Sequence, residues 1–325
     1  MKETDIRPQA VFDEYLRLAE LDARIYFDGP LRVPIACPAC GAAGAPAFDK
    51  HGFSYEECPG CRTLFVSPRP PVEAFFDYYQ HSDSARYFAN TFYKATAASR
   101  RERLWKPKSQ AVHAILKQHG ADAHRVVDIG GGYGIFAEEY AAVSGAAVTV
   151  IEPGPELAEI CRGKGLTVIQ SFLENVEPGQ LDLHVPRAFV SFELFEHLHD
   201  PFTFLSRLKG LMKSGDMFIY TTLSGTGVDL RVLWDQSKSV SLQHLNFFNP
   251  ASTRRLAARV GLDVLAITTP GKLDLDILSN NRDKIHDRFW RTFIDQSTQS
   301  EREAWQTFIA AQGWSSHMWV VTRHP

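Results

Sequence analysis

Residues 126–141, VVDIGGGYGIFAEEYA, constrain this chain more than any other stretch. An apolar run ends at Asp128. Gly130, Gly131, Gly132 and Gly134 then lead into a helical pattern. Glycine lets the backbone turn tightly and approach a ligand closely. A second apolar run, AVTVIE (147–152), ends at Glu152, 20 residues after Gly132, where a carboxylate can accept both hydroxyls of a ribose. A strand, a glycine-rich turn, a helix and an acid-terminated second strand form the opening of an α/β fold with a mostly parallel sheet, and ligand binds at the carboxyl ends of its first strands.

The rest of the chain extends that pattern. Strand-like runs recur at 125–129, 147–152, 166–170, 187–192, 216–222, 263–269 and 317–323, with helical segments between most of them. Two further helices are expected at about 282–296 and 299–312. Upstream, residues 9–27 repeat apolar side chains at helical spacing, and Gly29 and Pro30 stop that helix. Residues 72–120 read as mostly helical, interrupted near Pro107, and Ser67-Pro68-Arg69-Pro70-Pro71 reads as a stiff connector. The expected organisation is an N-terminal helix (1–34), a cysteine module (35–70), a helical cover (71–120) and an α/β domain (121–325) with a helical insertion near 275–314.

Four of the five cysteines form two pairs, Cys37/Cys40 and Cys58/Cys61, spaced C-x2-C-x17-C-x2-C. Two such knuckles present four thiolates tetrahedrally to zinc, and four protein ligands leave no open position, which makes the metal structural. Gly41 and Gly60 suit the tight turns. A redox C-x-x-C would not need two copies.

Two cofactors compete for the glycine loop. A nicotinamide site wants G-x-G-x-x-G with pyrophosphate over the helix N-terminus, whereas here Ile135 or Ala137 falls where the third glycine would be. Asp128 would repel a pyrophosphate and suits the cationic methionine end of S-adenosylmethionine. D-x-G-x-G-x-G followed by an acidic second strand resembles the signature of class I S-adenosylmethionine-dependent methyltransferases. FVSFELFEHLHDP (189–201) is similar to that family's fourth-strand motif. The resemblance covers about residues 35–325 and is nearest to zinc-ribbon-bearing members, including sugar methyltransferases of polysaccharide and antibiotic pathways. It implies a Rossmann-like seven-stranded sheet with an N-terminal zinc ribbon and helical cover. The cofactor would be held by Asp128, Gly130, Gly132, Tyr133, Gly134 and Glu152, with Ser171 and Phe172 near the adenine and Glu193 beside the methionine moiety. It also implies that the ribbon shapes the acceptor pocket.

Methyl transfer to carbon or oxygen requires removal of a proton, and histidine is the usual base near neutral pH. His244, in SLQHLNFFNP (241–250), resembles the histidine of the E-H-x-x-x-F stretch of sugar C-methyltransferases, although Gln243 stands where glutamate is common. His197, in the E-H pair, is the second choice, and many relatives use it to brace the fourth-strand loop. Arg100, Arg101 and Arg103 form a cationic cluster that suits a nucleotide diphosphate or a solvated helix face.

A net charge of −3 and a pI of about 6.5 give no electrostatic reason to expect nucleic-acid binding. No apolar run approaches the roughly 20 residues that span a bilayer, and the polar N-terminus has no signal-peptide core. The expectation is a cytoplasmic enzyme acting on a small-molecule acceptor, with no nucleic-acid or membrane partner and with the acceptor atom and oligomeric state open. The competing readings are an NAD-dependent oxidoreductase or epimerase, and a zinc-ribbon binding protein built on a relic of the fold.

Overall fold

The structure is a computed structural model. It describes residues 2–29, 31–121, 125–181 and 187–325. Pro30, half of the expected helix stop, lies outside them. The chain divides into two compact units that interleave in sequence. One comprises residues 1–99, 223–253 and 268–318, and the other 100–222, 254–267 and 319–325.

The second unit carries most of a seven-stranded sheet. Its strands are β4 (Arg125–Ile129), β5 (Ala147–Ile151), β6 (Thr167–Ile169), β7 (Arg187–Ser191), β8 (Met217–Leu223), β10 (Asp263–Thr268) and β11 (His317–Arg323), in the order β10-β11-β8-β7-β4-β5-β6. All seven expected strands are present. Pairs β4/β5, β4/β7, β5/β6 and β7/β8 are parallel. β11 reverses. His324 pairs its backbone with Gly215 and Asp216, while Thr322 reaches the Phe218 carbonyl, so its numbering falls as that of β8 rises. Strands β4, β5 and β7 are almost wholly buried, as parallel strands covered on both faces must be, which is why they read as apolar runs and not as alternation. The strand order changes direction at β4, between β5 and β7, where such sheets bind ligands.

The first unit begins with the helix Gln9–Phe27, as its periodicity predicts. Its sheet comprises β1 (Ala45–Lys50), β2 (Phe53–Glu57), β3 (Leu64–Val66) and β9 (Asn246–Phe247), in that order. β9 joins from 180 residues downstream, pairing Phe247 with Leu64 and Asn246 with Phe65. The core on this sheet unites Phe27, Phe53, Tyr55, Leu64, Val66, Phe75 and Tyr78 with Leu242, Leu245 and Phe247. The proline-rich connector is therefore more than a spacer. Arg69 is buried, donating to the Leu245 carbonyl and to Asn246 Oδ1 at 2.9 Å. The expected insertion helices appear as Arg288–Gln296 and Gln299–Ala311.

Pro107 does not interrupt the helical region. The chain is helical from Asp83 to Gln118, with π turns at Phe88–Phe92 and Arg101–Trp105. Proline lacks the N–H and crowds the carbonyl four residues back. The wider turn ahead of it, in which the Lys106 N–H reaches the Arg101 carbonyl, lets the helix continue. Among the described residues no helix is long and apolar enough to cross a membrane.

The first unit also holds a buried acid pair. Burial, and then the charge of Asp274, push the Asp229 carboxyl well above the usual carboxylate range. Asp274 accepts from the Ser315 hydroxyl at 2.6 Å and the Ser316 N–H at 2.7 Å. Asp229 therefore binds a proton in the folded state that it releases when unfolded. Its stabilisation is complete at low pH and is lost as pH rises through the raised folded pKa. Asp229→Asn, neutral throughout, should flatten that loss. Parallel thermal melts of the two proteins from pH 5 to 9 test this, and equal slopes of stability against pH would refute it.

Candidate cofactor site and four-thiol cluster

The glycine turn between β4 and the helix Ile135–Ser144 is built as the spacing requires. Gly130, Gly132 and Gly134 have φ of +69°, +55° and +68°, the left-handed region that L side chains rarely enter. Gly134 is further restricted, since a Cβ there would lie 2.6 Å from Leu166 Cδ1 and 2.9 Å from Cys161 Sγ. A Cβ on Gly132 would meet nothing within 4 Å, so this residue faces open space. Cys161 is a residue whose place the sequence did not reveal. Its thiol donates to the Gly132 carbonyl at 3.2 Å and supports the loop from below. A lone cysteine in a helix carries no signal for that position.

Two carboxylates flank the turn. Glu152, after β5, is buried, and each of its oxygens accepts a backbone N–H at 2.9 Å, from Gly132 and from Gly154. Carboxylate oxygens have about four acceptor positions, so capacity for ribose hydroxyls remains. Asp128 is 2% exposed, and its Oδ2 has no hydrogen-bond partner among the described residues. Burial and then the charge of Glu152 push its pKa up to about 7. A buried, unsatisfied carboxylate costs free energy unless a ligand completes it.

The other expected contacts sit on neighbouring loops of the same unit. Phe172, beyond β6, is 42% exposed, and the Ser171 hydroxyl donates to the Phe172 carbonyl. Tyr133 is partly exposed, and its carbonyl accepts from Lys164 at 2.7 Å. Glu193 follows β7 with φ +55°, a strained value for a non-glycine residue. Its Oε1 accepts from Lys108 Nζ at 3.1 Å and from the Thr221 hydroxyl at 3.2 Å. Glu196, in the short turn Phe195–His197, is 2% exposed and accepts from Thr222 at 3.1 Å. Burial and then the charge of Glu193 push it up to about 8. His197 is the last residue of that turn, its N–H on the Leu194 carbonyl. Arg101, weighed above as part of a diphosphate site, is ion-paired with Glu138 at 2.6 Å and with Glu139.

In the first unit, His244 lies just before β9. Its Nδ1 is 2.6 Å from the Ser239 carbonyl. A carbonyl only accepts, so Nδ1 carries the proton and Nε2 is the basic nitrogen of the neutral ring. The glutamine at 243 thereby loses its significance for the ring: the imidazole is oriented by a backbone carbonyl, while Gln243 Nε2 donates to the Tyr78 hydroxyl at 2.7 Å. The helix from Pro250 is capped by Asn249, whose Oδ1 accepts from the Ala251 and Ser252 N–H groups.

Cys37, Cys40, Cys58 and Cys61 converge, with Sγ···Sγ separations of 3.5 Å (37/61) and 3.6 Å (40/58 and 40/61). Thiolates about 2.3 Å from a tetrahedral metal lie about 3.8 Å apart, so the donor set fits zinc. The two knuckles are backbone copies: Gly41 and Arg62 donate to the Cys37 and Cys58 carbonyls, and Cys37 and Cys58 donate to the Ala42 and Thr63 carbonyls, all at 2.8 Å. The left-handed positions are therefore Gly41 (φ +77°) and Arg62 (φ +61°). Gly60, expected to serve a tight turn, is not at one of them. Asn249 Nδ2 donates to the Cys61 carbonyl at 2.8 Å, tying the cluster to the β9 segment.

Residues 90–267 match a methyltransferase domain family. The chain belongs to that family. Its sheet is the class I methyltransferase sheet. The chain is 32% identical over 118 residues to the ubiquinone biosynthesis O-methyltransferase of Vibrio cholerae, covering 34% of this chain and 47% of the relative. The Vibrio vulnificus protein of the same name is 30% identical over 118 residues, 34% and 49% of the two chains. The chain thus spans about half the length of the curated relatives it matches. The solved plantazolicin methyltransferase BpumL, in complex with a desmethyl-plantazolicin analogue and S-adenosylhomocysteine, aligns with a TM-score of 0.50 at 12% identity over 77% of this chain and 94% of that one, a likeness of fold alone.

Proposed function

We propose that the chain transfers the methyl group of S-adenosylmethionine to a small polar acceptor, such as a nucleotide-activated sugar or another biosynthetic intermediate. The observation that carries this reading is the buried Asp128 Oδ2, unsatisfied beside a glycine turn that opens onto space at Gly132. S-adenosylmethionine supplies an electrophilic methyl group on a sulfonium. Asp128 and Glu193 place negative charge for the cationic methionine end, Glu152 takes the ribose, and Ser171 and Phe172 take the adenine, with Tyr133 lining the turn. The same carboxylates oppose a pyrophosphate, and so a nicotinamide cofactor. His244 is the favoured base, its ring oriented by the Ser239 carbonyl at Nδ1, and His197 is the alternative. Zinc bound by the four cysteines has a structural role, because four thiolates leave no position for a substrate. The O-methyltransferases among the relatives favour a hydroxyl acceptor.

Titration calorimetry with S-adenosylhomocysteine tests the cofactor. Micromolar binding is expected, and NADH binding in its place would overturn the proposal. The pH dependence has a definite sign. With a ligand-free pKa of about 7, Asp128 is about 10% ionised at pH 6 and about 90% at pH 8. The α-ammonium of the ligand, which S-adenosylhomocysteine shares with S-adenosylmethionine, binds the ionised form, so affinity should rise about tenfold over that interval. Asp128→Asn should weaken binding and abolish the slope. A wild-type affinity that is flat with pH would remove Asp128 from the contact.

A further inference from the structure

Lys108 lies in the helix Lys106–Gln118, in a segment where nothing in the sequence singles it out. It is 7% exposed. A buried ammonium loses its hydration and persists only where neighbours replace it. Lys108 Nζ has such neighbours: it lies 4.8 Å from the ring centroids of both Trp105 and Phe192, and 3.1 Å from Glu193 Oε1. The two rings form a slot that aims the ammonium at the residue whose backbone is strained at φ +55°. A non-glycine residue holds such a conformation only where its surroundings over-determine it. Here the determinants are Lys108 from the helix and the Thr221 hydroxyl from β8, both on the same carboxylate oxygen.

We propose that Lys108 is a positioning residue of the cofactor site, acting through Glu193: its ammonium fixes that carboxylate at the end of β7. This rests on the cofactor reading above. The titratable groups facing one another at this point include Asp128 of β4, Glu152 after β5, Glu193, Glu196 and His197 after β7, and Lys108 from the helix. The ammonium opposes the rise in both the Asp128 and Glu196 carboxyls. Removing it should leave several acids competing for protons near neutral pH. A cationic ligand end would then meet a partly neutralised site.

S-adenosylhomocysteine titrated into wild type, Lys108→Met, Lys108→Arg and Glu193→Gln across pH 6–9 is the test. Lys108→Met should bind about tenfold more weakly at pH 7.5, with the midpoint of its affinity–pH curve moved upward by at least about half a unit, a change that loss of packing alone would not produce. Lys108→Arg, which keeps the charge and the ring contacts, should restore affinity to within about threefold. Because Lys108 acts through Glu193, the double variant Lys108→Met/Glu193→Gln should bind within about threefold of Glu193→Gln alone. That variant also carries the test if Lys108→Met does not fold, since it leaves no Glu193 carboxylate without its cation. A double variant that loses the product of the two single effects, or a Lys108→Met protein with wild-type affinity and midpoint, overturns the assignment. Wild type that gives no heat with S-adenosylhomocysteine at any pH removes the cofactor reading itself, and this assignment with it.

Discussion

Cys58→Ala is expected to yield protein with little or no zinc and with the β1–β3 ribbon unfolded, where wild type carries about one zinc per chain. The strands alone cannot sustain the ribbon. β3 has three residues and β9 two, and the knuckles bury their thiols against one another at 3.5–3.6 Å. Metal binding to such a site is worth about 10–16 kcal/mol near neutral pH, on the scale of the whole stability of an ordinary domain. The effect should extend beyond residues 35–70. Asn249 and Arg69 join the ribbon to the segment around β9, so amide exchange at 242–249 should accelerate together with that of 45–66. The cofactor turn lies in the other unit, so S-adenosylhomocysteine affinity should change far less than metal content. Elemental analysis and hydrogen exchange of wild type, Cys58→Ala and chelator-treated protein decide it. A metal-free preparation with native exchange over 45–66 would rule out the structural role.

His244→Ala should leave S-adenosylhomocysteine affinity within about threefold of wild type and lower turnover by about 10² to 10⁴, the usual weight of a general base. The size of the loss also reports the acceptor. A hydroxyl or carbon acceptor must give up a proton and needs the full contribution, whereas an amine is already nucleophilic and should cost less than about tenfold. The Ser239 carbonyl that holds Nδ1 makes no use of residue 243, so Gln243→Glu should not raise turnover through the imidazole. Phenolic, amine and nucleotide-sugar acceptors screened with wild type supply the assay. Equal turnover by His244→Ala on the acceptor so found would exclude it, and His197→Ala would then be made.

The features legible in the sequence are those whose cause is local. Glycines 130, 132 and 134 stand where φ is positive, an acid stands within one residue of the end of β4 and of β5, and apolar runs mark strands covered on both faces. The cysteine spacing likewise encodes a tetrahedral donor set, because each knuckle closes its own backbone hydrogen bonds within six residues. Even so, the second knuckle places Arg62 at the left-handed position that composition alone would give to Gly60. What remained hidden depends on partners far away in the chain. Asn246 and Phe247 are too short a run to read as a strand and become one only because β3 offers a free edge. The group that holds His244 Nδ1 is a backbone carbonyl, which no residue type announces. Lys108 reads as one more polar position on a helix. Its meaning comes from Trp105, Phe192 and Glu193, which tertiary structure brings around it from up to 85 residues away, and burial turns an ordinary ammonium into a charge that must be answered.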